Sequence, residues 1–126
     1  MNLRQFLADR RGVTAVEFAL LAPAFLLILG GISDVGLMTW TQLGIEHAVQ
    51  SGARCASLGN STCANAALIA NYASTQAYGL GLPASTFTYS KTSCGYQVTA
   101  SYTYYFFSNS FPKASTALSA LACVPA

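Results

Sequence analysis

The stretch RRGVTAVEFALLAPAFLLILGGI, residues 10–32, decides the fold. From Val13 onward it is apolar except for one charge, Glu17. As a helix, residues 13–32 would be ~30 Å long, enough to cross the hydrocarbon core of a bilayer. Arg4, Arg10 and Arg11 precede the run, while Asp34 and Glu46 follow it. Basic residues are retained on the cytoplasmic side, so this asymmetry predicts a cytoplasmic N-terminus and an extracytoplasmic remainder.

Composition points the same way. Only 8% of the 126 residues are charged and 53% are hydrophobic, whereas a soluble domain ordinarily carries about 25% charged residues. The net charge of +2 and the scattered positions of Arg54, Lys91 and Lys113 form no basic stripe. A nucleic-acid partner is therefore set aside. An ordinary secretory signal would need a shorter apolar core, free of Glu17, before a small-x-small site. Gly31-Ile32-Ser33 is a weak version of such a site.

The helix is predicted to run past the membrane. No proline occurs over residues 34–58, and Val35, Met38, Gln42, Ile45, Val49, Gly52 and Ala56 recur at three- and four-residue steps. A helix over residues 13–58 would be ~70 Å long, so it must project from a domain this small. Trp40 falls near where an interfacial aromatic belongs. Asn60 or Ser61 is suited to cap a second helix over residues 63–78, with Leu68, Ile69, Tyr72 and Ala73 as its apolar face. Gly79, Gly81 and Pro83 would end it.

Beyond Pro83 the period changes to two. Residues 86–91 alternate as a strand, and Ser93-Cys94-Gly95 makes a turn. Tyr96, Val98, Ala100, Tyr102, Tyr104 and Phe106 then alternate with polar residues. Residues 114–124 are alanine-rich enough for a helix. A third strand is preferred, because it returns beside the second and brings Cys123 towards Cys94.

Cys55, Cys63, Cys94 and Cys123 all follow the apolar run, with seven, thirty and twenty-eight residues between them. An even count outside the cytoplasm reads as two disulfides, and no CxxC pair supports a zinc site. Proximity favours Cys55–Cys63, which leaves Cys94–Cys123. Four cysteines allow three pairings, and sequence alone does not choose among them.

Enzymatic readings find little support. His47 is the single histidine, and adjacent Glu46 points to a different helical face. There is no GxSxG, phosphate loop or metal-ligand spacing. The expectation is no catalytic residue, no cofactor, no metal and no small-molecule substrate. Glu46, Gln50 and Arg54, at four-residue steps, read as a solvated or intersubunit stripe. Tyr105, Phe106, Phe107 and Phe111 are too many consecutive aromatics to point inward together, and are candidates for a surface contact. Pro23 removes a hydrogen bond inside the span and would kink or loosen it.

The basic leader ending in Gly12, followed by a hydrophobic helix with Glu17 at its fifth residue and Phe18 next, resembles the type IV prepilin processing motif. The resemblance implies cleavage between Gly12 and Val13 by a prepilin peptidase. A carboxylate in a membrane helix costs about 3 kcal/mol unless paired. The new α-amine of Val13, one turn away, is a partner for Glu17, and in that family the pairing registers incoming subunits.

Residues 10–36 also look like the N-terminal segment of TadE-like proteins, the pseudopilins of tight-adherence (Tad/Flp) pili. The run AVQSGARCASLG, residues 48–59, is similar to the alanine-rich stretch those proteins carry after the membrane. The resemblance covers residues 10–59. It implies a minor or initiating role, with other Tad pilins, an inner-membrane assembly platform and the lipid bilayer as partners.

The expected fold is α+β and pilin-like. A cytoplasmic leader (1–12) precedes a long N-terminal helix (13–58, spanning the membrane at 13–32). An extracytoplasmic helix and small disulfide-linked antiparallel sheet complete it (59–126). The expected location is the bacterial inner membrane, with incorporation into an extracellular pilus. The competing reading is a non-polymerising envelope protein, anchored by the same helix, that binds a partner through its aromatic sheet edge.

Overall fold

The computed structural model describes residues 12–106 and 114–126. Helix α1 runs unbroken from Val13 to Leu58, through Pro23. Pro23 leaves the carbonyl of Ala19 without its intrahelical donor. Gly59, in the left-handed region at φ 59°, stops the helix. Asn60 then accepts a hydrogen bond from the Cys63 N–H at 3.2 Å, closing a one-turn 3-10 helix over Ser61–Cys63.

Helix α2 is shorter than the sequence predicts, Ala66–Thr75 rather than residues 63–78. The cause is a second cap. Asn65 leaves the helical region and accepts from the Leu68 N–H at 2.9 Å, so the 3-10 turn and α2 are separate elements. Asn60 caps the turn instead of the helix. Of the expected apolar face, Ile69 and Ala73 are buried, Tyr72 is half-buried and Leu68 is exposed.

Three strands follow: β1 (Phe87–Thr92), β2 (Gly95–Tyr105) and β3 (Ser115–Val124). They form one antiparallel sheet in the order β1-β2-β3. Thr92 pairs with Gly95, leaving Ser93 and Cys94 as a two-residue hairpin loop. Gly95 is at φ 128°, and a Cβ there would come within 2.8 Å of the Pro125 Cα, so no side chain fits. The alanine-rich C-terminal run is a strand because it finds β2, pairing from Ser115 opposite Tyr105 to Val124 opposite Tyr96. That pairing brings Cys123 to Cys94, with their Cα atoms 6.5 Å apart. Cys55 is bonded to Cys63, Cα to Cα 5.8 Å, across the corner between α1 and α2.

The core lies between the upper part of α1, the sheet and α2. Ile45, Val49 and Val98 are its largest fully enclosed side chains, and Ala48, Ala53, Ala73 and Ala77 fill the contacts around them. Small residues let the layers close up. A Cβ on Gly52 would lie 3.2 Å from the Ala73 Cβ and 3.5 Å from Val98 Cγ2, so one position touches both α2 and β2.

Strand β2 descends along α1. Val98 lies against Gly52, and Gln42 donates to the Ser119 carbonyl at 3.1 Å, with Ser119 opposite Ser101. Tyr104 lies within electrostatic reach of Asp34. The three contacts step down the helix in the same order as they step along the strand. The β2–β3 end of the sheet therefore faces the apolar half of α1.

Candidate functional site

Among the described residues, nothing covers the first half of α1. Phe18, Leu20, Leu21, Phe25, Leu26, Leu27, Ile28 and Ile32 are each at least 60% exposed. Gly30 and Gly31 have open space around them. Burying a Leu or Phe side chain is worth about 1.5–3 kcal/mol, so this surface in water would cost on the order of 10 kcal/mol. The segment is long and apolar enough to cross a membrane, and none of its most apolar window is buried. Its apolar residues are distributed all round the helix, which suits a solvent of lipid tails or packed helices rather than one facing surface.

The residues singled out as a processing and assembly motif lie at the start of this segment. Gly12 stands at the N-cap of α1 and supplies no side-chain cap. The first backbone N–H groups of the helix are therefore left for another partner. Val13 opens the helix, and Glu17 lies one turn later, exposed, beside Phe18 at 74% exposure. Residues four apart share a face, ~6 Å between their Cβ atoms, so a charge on Val13 nitrogen would be within reach of the Glu17 carboxylate. Residues 1–11 of the leader lie outside the described residues.

The aromatic candidates divide. Tyr105 is 66% exposed at the end of β2. Phe106 is half-buried and packs edge-on against Tyr104, ring centres 5.5 Å apart. Phe107 and Phe111 lie outside the described residues. Burial, then the Asp34 charge, then Tyr102, raise the Tyr104 phenol above its ordinary range.

A second aromatic cluster was not legible in the sequence. Tyr78 follows α2 and packs on His47 at 4.6 Å and beside Trp40 at 5.8 Å. It is held at φ 50°, the one non-glycine residue with positive φ among the described residues. His47 Nδ1 donates to the Gln76 carbonyl at 3.0 Å, which fixes the ring that Tyr78 covers. Trp40, Leu43, Glu46, His47, Gln50 and Tyr78 line a shallow open groove. Only the fold brings residue 78 to residue 40, so no spacing could have announced the cluster.

Glu46, Gln50 and Arg54 all face solvent, and Glu46 accepts from Gln42 at 2.9 Å. Among the described residues, no group of three or more His, Cys, Asp or Glu is placed to hold a metal.

Residues 12–54 match the family of TadE-like proteins. The match is confined to Gly12 and α1, and leaves the sheet and α2 outside it. No curated protein and no solved structure matches the chain.

Proposed function

We propose that this chain, which carries a TadE-like segment over residues 12–54, is a non-enzymatic minor pilin or pseudopilin of a Tad pilus. The observation that carries the reading is the uncovered apolar half of α1, continuous with a folded head. In the precursor that helix anchors the protein in the inner membrane, with the leader in the cytoplasm and the head outside. A prepilin peptidase cuts between Gly12 and Val13. The freed α-amine of Val13 then pairs with Glu17, either within the chain or across to a neighbouring subunit. The anchor thereby becomes the handle by which the subunit packs with other Tad pilins on the assembly platform.

Physical chemistry supports each part. Lipid and neighbouring apolar helices are interchangeable covers for Phe18 to Ile32, because neither leaves the side chains in water. Moving from one to the other needs no refolding of the head. Pro23, which frees a carbonyl in the middle of the segment, offers a place for the helix to adjust as its cover changes. The sheet and α2 are bulk that a filament-forming helix does not itself need, which favours a minor or priming role over a repeating subunit.

The deciding experiment is the mass of the mature protein from its host. Loss of residues 1–12, with a new N-terminus at Val13, is expected. An intact N-terminus would replace this reading with a permanently anchored envelope protein, and a cut near Ser33 with a secreted one. For Glu17→Ala, cleavage should persist while pilus assembly falls severely. Normal pili from that variant would remove the pairing from the mechanism.

A further inference from the structure

Opposite the core, α1 keeps one side open along its upper length. At about 100° per residue, Ile32, Gly36, Leu43, Gln50 and Arg54 fall within about 40° of one another, and all are exposed. The stripe is apolar at its lower end, where it runs on from the uncovered half of the helix, and polar above. Gly36 has open space around it. Two hollows open along the stripe. Trp40, Leu43, Glu46 and Gln50 line the lower one, with Tyr78 at its side. Ser51, Arg54, Leu58, Thr62 and Tyr72 line the upper one, beside α2.

The charges on this side of α1 are complementary but do not meet. Arg54 is the only Lys or Arg of the helix. Its guanidinium has no hydrogen bond or ion pair among the described residues. The hydroxyl-bearing Ser51, Thr62 and Tyr72 line the same hollow. Glu46 lies eight residues below, ~12 Å along the axis, and is turned the other way, accepting from Gln42 at 2.9 Å. The same eight residues carry it about 80° round the helix from Arg54. One flank of the stripe is thus acidic and the other basic.

We infer that the upper hollow receives the Glu46 carboxylate of a second copy of this chain, lying parallel alongside and advanced outward along α1. The inference rests on the pilin reading given above, to which it adds a partner and a register. A parallel neighbour follows from a common N-terminal anchor in one membrane. Its acidic flank faces the basic flank of the first copy, and an outward advance of up to ~12 Å brings its Glu46 level with Arg54. The long side chains take up part of that distance. A planar guanidinium beside three hydroxyls is a donor set suited to a carboxylate. The contact is head-to-tail, so a paired copy still offers its other charge to the next, which is the interface type that builds filaments. Below it, Leu43, Gly36 and Ile32 carry the contact into the apolar half, with Gly36 allowing a second helix close approach. The apolar residues supply the attraction. The charge pair sets the stagger, because any other register leaves Arg54 and Glu46 apart.

The test produces two differently tagged full-length copies together, in a host lacking the native chain, and captures one of them in mild detergent. Wild type should retain its second copy. Arg54→Glu in both copies, or Glu46→Arg in both, sets like charges together and should lower retention about tenfold. With Arg54→Glu in one copy and Glu46→Arg in the other, every contact between unlike copies is again an opposite pair. Retention should then return to within about twofold of wild type. That rescue requires both variants to be folded, and no role within a single chain reproduces it. Wild-type retention by either variant alone would overturn the inference. So would the absence of rescue on mixing, which would point to a different subunit as the occupant. The mass of the captured chain separates the two readings. A mature chain beginning at Val13 that retains no second copy removes the inference and leaves the pilin reading, whereas intact residues 1–12 remove both.

Discussion

Between residues 13 and 33, α1 exposes every large apolar side chain it carries. Between residues 44 and 56 the same helix buries Gly44, Ile45, Ala48, Val49, Gly52, Ala53, Cys55 and Ala56. The upper half is narrow on its covered side, built from small residues that admit a sheet and a second helix. The lower half is wide and apolar all round, built from Leu, Phe and Ile that no other element among the described residues reaches. One backbone therefore serves two solvents. Its upper part is stabilised by tertiary packing, its lower part by whatever apolar phase surrounds it, so damage to either half should be read out differently.

The largest expected effect comes from placing a charge in each half. Val49→Asp buries an unpaired carboxylate in the enclosed core and should cost more than about 4 kcal/mol, enough to abolish a cooperative melt of the detergent-solubilised protein. Leu27→Lys should leave that melt unchanged while weakening membrane insertion by about 3 kcal/mol, seen as increased release in alkaline extraction. Equal damage to the melt from both would show that the halves are not independent.

A smaller effect separates the two disulfides within the head. Cys94–Cys123 closes a separation of 29 residues and Cys55–Cys63 one of 8. By loop-closure entropy, replacing the first pair with serine should cost about 3.5 kcal/mol, and the second about 2.5 kcal/mol. Denaturant unfolding of the two double variants checks the order, and a reversed order would mean that the α1–α2 corner stores more than chain entropy.

The smallest effect compares two glycines on the same helix. Gly52→Ala pushes a methyl to 3.2 Å from Ala73 and should destabilise the head by about 1 kcal/mol. Gly30→Ala meets nothing within 4 Å and should leave the thermal midpoint of the head unmoved. A shift at Gly30 would reveal a contact between the apolar half and the head.

Much of this division is legible in the sequence. A twenty-residue apolar run needs no tertiary partner to announce itself, since length and composition alone suit it to a bilayer. The alternation of residues 96–106 likewise predicts β2, because period two is a local property of the backbone. Less was legible where competing local signals met. The corner after Gly59 offers several capping residues, and sequence chose Asn60 or Ser61, while the folded chain uses Asn60 for a 3-10 turn and Asn65 for α2. The stripe read along residues 35–56 found Ile45, Val49, Gly52 and Ala56 but passed over Gly44, Ala48 and Ala53. Gly44, for one, lies under Ala77 and Leu80 in the turn after α2, a contact that no helical period along α1 announces.

By itself, then, the sequence determined the long helix, its division at the end of the apolar run, and the strand-forming period of the last third. Each depends on residues within a few positions of one another. Tertiary structure alone decided that residues 114–124 are a strand, that Cys94 meets Cys123, and that Tyr78 joins Trp40. Those outcomes depend on which distant segments share a surface. That choice is made by closing a core around Ile45, Val49 and Val98, and no local period encodes it.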